Sequence, residues 1–197
     1  KLTDKQALEL WRRYNEGLAK DIDVDESLSR YDIDKKRAEL EADPIAWILY
    51  FFPTYAKYEF APFQLKAIRR IIANEEWYEV LSWSRELAKS TVAMFVIMYL
   101  TLTKRKRFVA LASATIDAAE RLLAPYKINF EKNPRLRQFY GKQEVLGMWT
   151  DREFSCACGA KFIALGAGSA PRGMRNEAIR PDVLYFDDYD TDEDCRN

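Results

Sequence analysis

Two stretches of this chain have the residue types and spacing for phosphate and metal chemistry. The first is Ser84-Arg85-Glu86-Leu87-Ala88-Lys89-Ser90-Thr91, set between an apolar strand-like run at 79–83 and a long apolar helix-like run. The second is Val183-Leu184-Tyr185-Phe186-Asp187-Asp188, a β-branched and aromatic run closing in two carboxylates. A Lys-Ser-Thr opening a helix puts unpaired N–H groups and the positive end of the helix dipole beside an ammonium, which favours a bound phosphate. A hydroxyl from Ser90 and a carboxylate from Asp187 are the hard oxygen ligands that Mg²⁺ takes.

Strand, turn and Lys-Ser-Thr helix start together form the layout of a nucleotide-binding P-loop. The common pattern, G-x-x-x-x-G-K-[ST], has glycine where this chain carries Trp83 and Ala88. Taken alone, Ala-Lys-Ser-Thr is equally an ordinary helix start with a lysine in its first turn. The acidic strand end downstream is what turns the reading toward ATP and Mg²⁺. Lys89 would then reach the β- and γ-phosphates.

Composition narrows the chemistry. Lys plus Arg equal Asp plus Glu at 31 each, so any nucleic-acid contact must be a local patch. There is no histidine, which removes every His-dependent nucleophile or general base. Catalysis must rest on carboxylates, Lys, Arg and a metal. Cys156, Cys158 and Cys195 are too few for a four-cysteine zinc site, and the mixed Cys/His sites are excluded. Free thiols are expected. The most apolar stretch, 91–103, is too short to span a bilayer and reads as a buried core helix. No secretory leader is recognised.

The elements that must position these residues follow from periodicity. Residues 1–42 form a charge-rich helical arm: Ala7, Trp11, Tyr14 and Leu18 make one apolar stripe, and 31–42 read as a second helix. The stripe fits either a partner or the arm's own domain. Residues 43–197 form the remaining domain. Asp43 caps a helix at 45–52 with Pro44 at its first position. Helices are predicted at 65–74, 90–103 and 115–133, the last containing Pro125. Strands are predicted at 79–83, 107–113 and 183–187, with a hairpin of 152–157 and 161–165 across Cys158-Gly159. Strands alternating with helices predict an α/β fold with a mostly parallel central sheet flanked by helices. An extra strand and helix between the two motifs match the additional-strand catalytic branch of P-loop NTPases.

Over 43–197 the chain resembles the large terminase subunits, the genome-packaging motors of tailed bacteriophages. Three features carry the resemblance: an atypical P-loop with an early arginine, Arg85; an upstream glutamine motif, Phe63-Gln64; and a Gly- and Arg-rich loop, Gly166 to Arg175 followed by Arg180-Pro181-Asp182, leading to the Asp-Asp strand. The resemblance implies an ATPase that drives double-stranded DNA into a procapsid through the portal. It implies a portal protein and a small terminase subunit as partners, a homo-oligomeric ring on assembly, no membrane, and a location in the cytoplasm of the infected bacterial host. The nucleotide would contact Gln64 and residues Ser84, Arg85, Glu86, Leu87, Ala88, Lys89, Ser90 and Thr91. Ser90 and Asp187 would hold Mg²⁺, and Asp188 would position the attacking water. Arg85 would act on the γ-phosphate in cis, or else pair with an acid such as Glu86. Arg172 or Arg175 would reach a neighbouring subunit's ATP. Phe60 or Phe63 would flank adenine, or else pack in the core.

The chain departs from the family at Ala88, where glycine is usual, and at Asp188, where many members have glutamate. These departures support one alternative, an inactive portal- or DNA-binding scaffold. A second alternative is a helicase-like ATPase. The basic run Lys104-Arg105-Lys106-Arg107 either complements a helix end or meets DNA phosphates.

Overall fold

The computed structural model describes residues 22–168 and 180–189, together with Gly17. The candidate residues Arg172 and Arg175, the stripe of Ala7, Trp11, Tyr14 and Leu18, and Cys195 lie outside the described residues. Helix α1 (Arg30–Ala42) starts where Ser29 and Asp32 cap each other: each backbone N–H donates to the other's side chain. It buries no residue completely, but Arg37 donates to the Phe139 carbonyl at 2.9 Å, and Leu28, Ile33 and Leu40 pack on the core.

Helix α2 (Pro44–Phe51) begins as its sequence demands, with the Asp43 carboxylate accepting from the N–H groups of Ile45 and Ala46. Trp47, Ile48 and Phe51 are fully buried. Helix α3 (Pro62–Ala73) starts three residues before the expected Leu65, because Pro62 is accepted at a first helical turn. Helix α4 (Lys89–Leu102) is buried from Val92 through Leu102 on every side, so it is the central helix of the domain. Among the described residues no helix is long and apolar enough to cross a membrane.

Strand β1 (Phe108–Ser113) follows, wholly buried. Helix α5 (Ile116–Lys132) is capped by the Thr115 hydroxyl and runs on past Pro125. A short helix α6 (Pro134–Tyr140) and strand β2 (Glu144–Trp149) come next. Strands β3 (Glu153–Cys156) and β4 (Lys161–Gly166) form the expected hairpin, and β5 (Val183–Phe186) is the acidic strand. The sheet order is β2-β3-β4-β1-β5. β1 is parallel to both β4 and β5, whereas β2–β3 and β3–β4 are antiparallel.

Two expectations are corrected. The sheet is mixed rather than mostly parallel, because β2 adds a second antiparallel pair, with β3, to the expected β3–β4 hairpin, and 79–83 adds no parallel strand. Residues 79–83 are not a strand: they alternate half-buried and exposed as a strand would, but among the described residues no neighbour completes a ladder. Glu79 instead pairs with Arg70 and accepts from the Trp77 indole. Among the described residues β5 is therefore an edge strand, with Leu184 and Phe186 exposed. The basic run is engaged locally: Arg105 and Lys106 donate to the carbonyls of Ile72 and Glu75, while the N–H groups of Arg107 and Phe108 are held by the Asp182 carboxylate. Two of the run's side chains thus meet carbonyls at and just beyond the C-terminal end of α3.

Gly166 closes β4 against the start of α5. A Cβ there would sit 2.6 Å from the Ile116 nitrogen, which is backbone and cannot swing away. Gly166→Ala should lower stability by about 1–3 kcal/mol, the range for overpacking. Denaturant unfolding checks this: an unchanged midpoint would mean that strand and helix separate freely here.

Candidate active site

The two chemistry-bearing stretches meet at the C-terminal ends of β1 and β5. The Ser90 hydroxyl donates to Asp187 Oδ2 at 2.8 Å, across 97 residues of sequence. The Tyr185 hydroxyl donates to the same oxygen at 3.0 Å. β5 is aligned on β1 by its ladder, which the Asp187 N–H extends to the Ala112 carbonyl at 3.0 Å. The Asp188 carbonyl then accepts from the Ala114 N–H, which fixes the chain just past the strand. The Asp188 side chain is exposed, on a backbone at φ 42°, and its carboxylate has no hydrogen bond or ion pair among the described residues.

Across from the acids lies the 84–88 loop. Ala88 stands directly before α4 in the left-handed conformation, φ 57° and ψ 33°. That is where the common pattern has glycine, so alanine carries the strain that glycine would avoid. Glu86 also has a positive φ, 67°. The left-handed region costs a non-glycine residue about 1–2 kcal/mol, and glycine loses part of that gain through a more flexible unfolded chain. Ala88→Gly should therefore leave stability unchanged or raise it by up to about 1 kcal/mol. A clear loss of thermal stability would mean that the loop path depends on the alanine side chain.

Lys89 arches back so that its Nζ donates to the Trp83 carbonyl at 2.7 Å. The Gln64 amide donates to the Leu87 carbonyl at 3.0 Å, and its oxygen accepts from the Ala61 N–H at 2.9 Å. Gln64 thus engages both functions of its amide on backbone, pinning the loop to the start of α3. Phe63 meets Trp83 edge-on at 4.9 Å, and Phe60 packs on the core beside Phe95. Ser84, Arg85, Glu86 and Leu87 are exposed, and Thr91 is half-buried in the first turn of α4. Arg85 makes no ion pair among the described residues, so it is not tied to Glu86.

A cavity of about 730 Å³ runs along the open edge of β5, with Lys89 and Asp187 at its margin and Tyr78, Val80, Leu184 and Phe186 among its walls. It lies beside the loop rather than over it. Its position is the side of β5 that has no ladder partner.

Tyr185 is the site residue that sequence reasoning missed. The signal was available: two residues before Asp187 on a strand, it must share that residue's face. Burial raises its phenol, so it stays a donor toward the carboxylate. Ser90 and Tyr185 both converge on Oδ2, and no hydrogen bond to Oδ1 is present among the described residues. No group of three or more Cys, Asp or Glu is clustered for a metal among the described residues. No protein-family model matches this sequence, and a comparison with curated proteins finds no match.

Proposed function

We propose that this chain is the ATP-hydrolysing motor domain of a DNA-packaging terminase, built on the additional-strand type of P-loop fold. The single observation that supports it most is the 2.8 Å contact between Ser90 and Asp187 beside the Lys89 helix start. Two stretches read separately as phosphate and metal ligands form one site.

The donor set fits magnesium. One hydroxyl and one carboxylate are hard oxygens, and Mg²⁺ commonly takes one or two protein ligands and fills the rest of its shell with phosphate and water. Ser90 and Asp187 would hold it, and when bound it neutralises phosphate charge. Lys89 would exchange the Trp83 carbonyl for the β- and γ-phosphates. Asp188, exposed and without a partner among the described residues, would orient a water and take its proton. Arg85 is free to approach the γ-phosphate. Arg172 and Arg175 are proposed as donors to a neighbouring subunit's nucleotide within a ring. The proposed partners are double-stranded DNA, the portal protein and the small terminase subunit, in the infected host's cytoplasm at the procapsid.

Tyr185 enters this scheme as a positioning residue. By holding Oδ2 it would keep Oδ1 turned to the metal. Tyr185→Phe should raise the Mg²⁺ concentration for half-maximal turnover by about 10–100-fold, the usual effect of losing a ligand's supporting hydrogen bond. Turnover at saturating Mg²⁺ should change little. A uniform loss at every Mg²⁺ concentration would point to a merely structural role.

The decisive experiment is calorimetric titration with a non-hydrolysable ATP analogue, with and without Mg²⁺, followed by phosphate release with and without double-stranded DNA. Mg²⁺-dependent binding and DNA-stimulated release are expected. The inactive scaffold is favoured by one observation, the Lys89 ammonium already engaged on the Trp83 carbonyl. Absence of nucleotide binding would establish it. Stimulation by single-stranded DNA alone would favour a helicase-like translocase.

A further inference from the structure

The nucleotide site leaves one reactive cluster unused, at the opposite end of the sheet. Cys156 ends β3 and Cys158 lies in the turn into β4. The Gly159 N–H donates to the Cys156 carbonyl at 2.9 Å, closing a tight four-residue turn, and Gly159 supplies the φ of 93° that the turn needs. Gln143 braces it: its carbonyl accepts from the Ala157 N–H and its side-chain oxygen from the Cys158 N–H. Two residues span at most about 7 Å when extended, and a turn shortens that into the ~4.4–6.8 Å between Cα atoms that a disulfide needs. Both cysteines are free thiols, two residues apart across this turn.

We propose that Cys156 and Cys158 form a dithiol modification site that reacts with low-molecular-weight disulfides, Cys158 attacking and Cys156 resolving. Cys156 is 3% exposed, whereas Cys158 is half-buried and reachable. The hydrogen bond from Cys156 holds the Cys158 thiol down to about 7, helped by the backbone N–H groups of the turn and by Lys104, while burial pushes Cys156 well up. A more acidic, accessible thiol beside a second thiol is the arrangement of a redox-reactive pair.

The steps balance. The Cys158 thiolate attacks one sulfur of the reagent, forming a mixed disulfide and releasing one thiolate. Cys156 gives its proton to that thiolate and attacks the Cys158 sulfur, expelling the second, which takes up the proton that Cys158 released on ionising. The protein loses two electrons and two protons, and one reagent disulfide becomes two thiols.

The test uses oxidised glutathione on the Cys195→Ser chain, read by mass spectrometry of intact protein and of peptides. With both turn cysteines present, the expected product is two hydrogens lighter, carries no adduct, and links Cys156 to Cys158. Cys156→Ser should stop at one glutathione on Cys158. Cys158→Ser should react at least about tenfold more slowly, because the remaining thiol is buried and largely protonated. Stable glutathione adducts on the chain that keeps both cysteines would overturn the proposal without recourse to any variant. Equal rates for the two single variants would overturn the assignment of roles.

Discussion

Lys89→Ala should remain folded and lose ATP turnover by at least about 10²–10³-fold, the scale of removing one preorganised charge donor from a transferring group. The side chain belongs to the first residue of α4. Its only hydrogen bond among the described residues is to the Trp83 carbonyl. Losing that bond costs about 1 kcal/mol of stability, too little to unfold a domain whose central helix is buried on all sides. Phosphate release and a thermal melt on the same sample separate the two effects. Wild-type turnover in a folded Lys89→Ala protein would remove the phosphate assignment, and with it the proposed motor.

Asp188→Asn should bind Mg²⁺–ATP normally and hydrolyse it about 10²–10⁴-fold more slowly, the usual contribution of a general base. Asparagine tolerates the positive φ at this position as aspartate does. The contact from the Ala114 N–H to the residue 188 carbonyl belongs to the backbone and survives the change. Only the proton acceptor is lost. Asp187→Asn should behave differently, weakening Mg²⁺-dependent binding itself, because that carboxylate faces Ser90 at the proposed metal position. Calorimetry for binding and phosphate release for turnover distinguish the two variants. Normal hydrolysis by both would show that the end of β5 is not the catalytic site.

The two acids also show what neighbouring residues on a strand end can divide between them. Asp187 is half-buried and held by two hydroxyls, Ser90 and Tyr185. Asp188 points into solvent with its carboxylate unengaged among the described residues. One carboxylate is fixed by neighbouring hydroxyls and the other is open to solvent. Strand alternation puts adjacent side chains on opposite faces, which is why one of the two meets Ser90 and the other solvent.

Much of the fold was legible in the sequence because its causes are local. Asp43-Pro44 starts α2 by capping chemistry that involves four consecutive residues, Asp43 to Ala46. Thr115 starts α5 in the same way, and Cys158-Gly159 turns β3 into β4 through a glycine φ. The all-apolar run 91–103 could only be a buried helix or a membrane span, and its length decided for the former. The strained position at Ala88 was also legible, since a helix entered through a left-handed residue demands glycine and the chain has alanine.

The tertiary structure decided what depends on distant partners. The 79–83 segment has strand-like alternation, but a strand exists only if a neighbour accepts its ladder, and none does among the described residues. β2 carries a weak local signal and is fixed by pairing with β3, whereas α6 starts by the same local chemistry as α2, Asn133 capping a helix that opens with Pro134. Gln64 has an amide suited to a base edge, yet the fold brings Leu87 and Ala61 to it first. The meeting of Ser90 with Asp187, and the Tyr185 hydroxyl that holds the same oxygen, follow from parallel pairing of β5 with β1. Residue types specify which groups can do chemistry, because capping, turn and helix-start preferences act within a few residues. Which groups actually meet is set by hydrogen-bond ladders and core packing between distant segments, 97 residues apart for Ser90 and Asp187, and no local pattern encodes those.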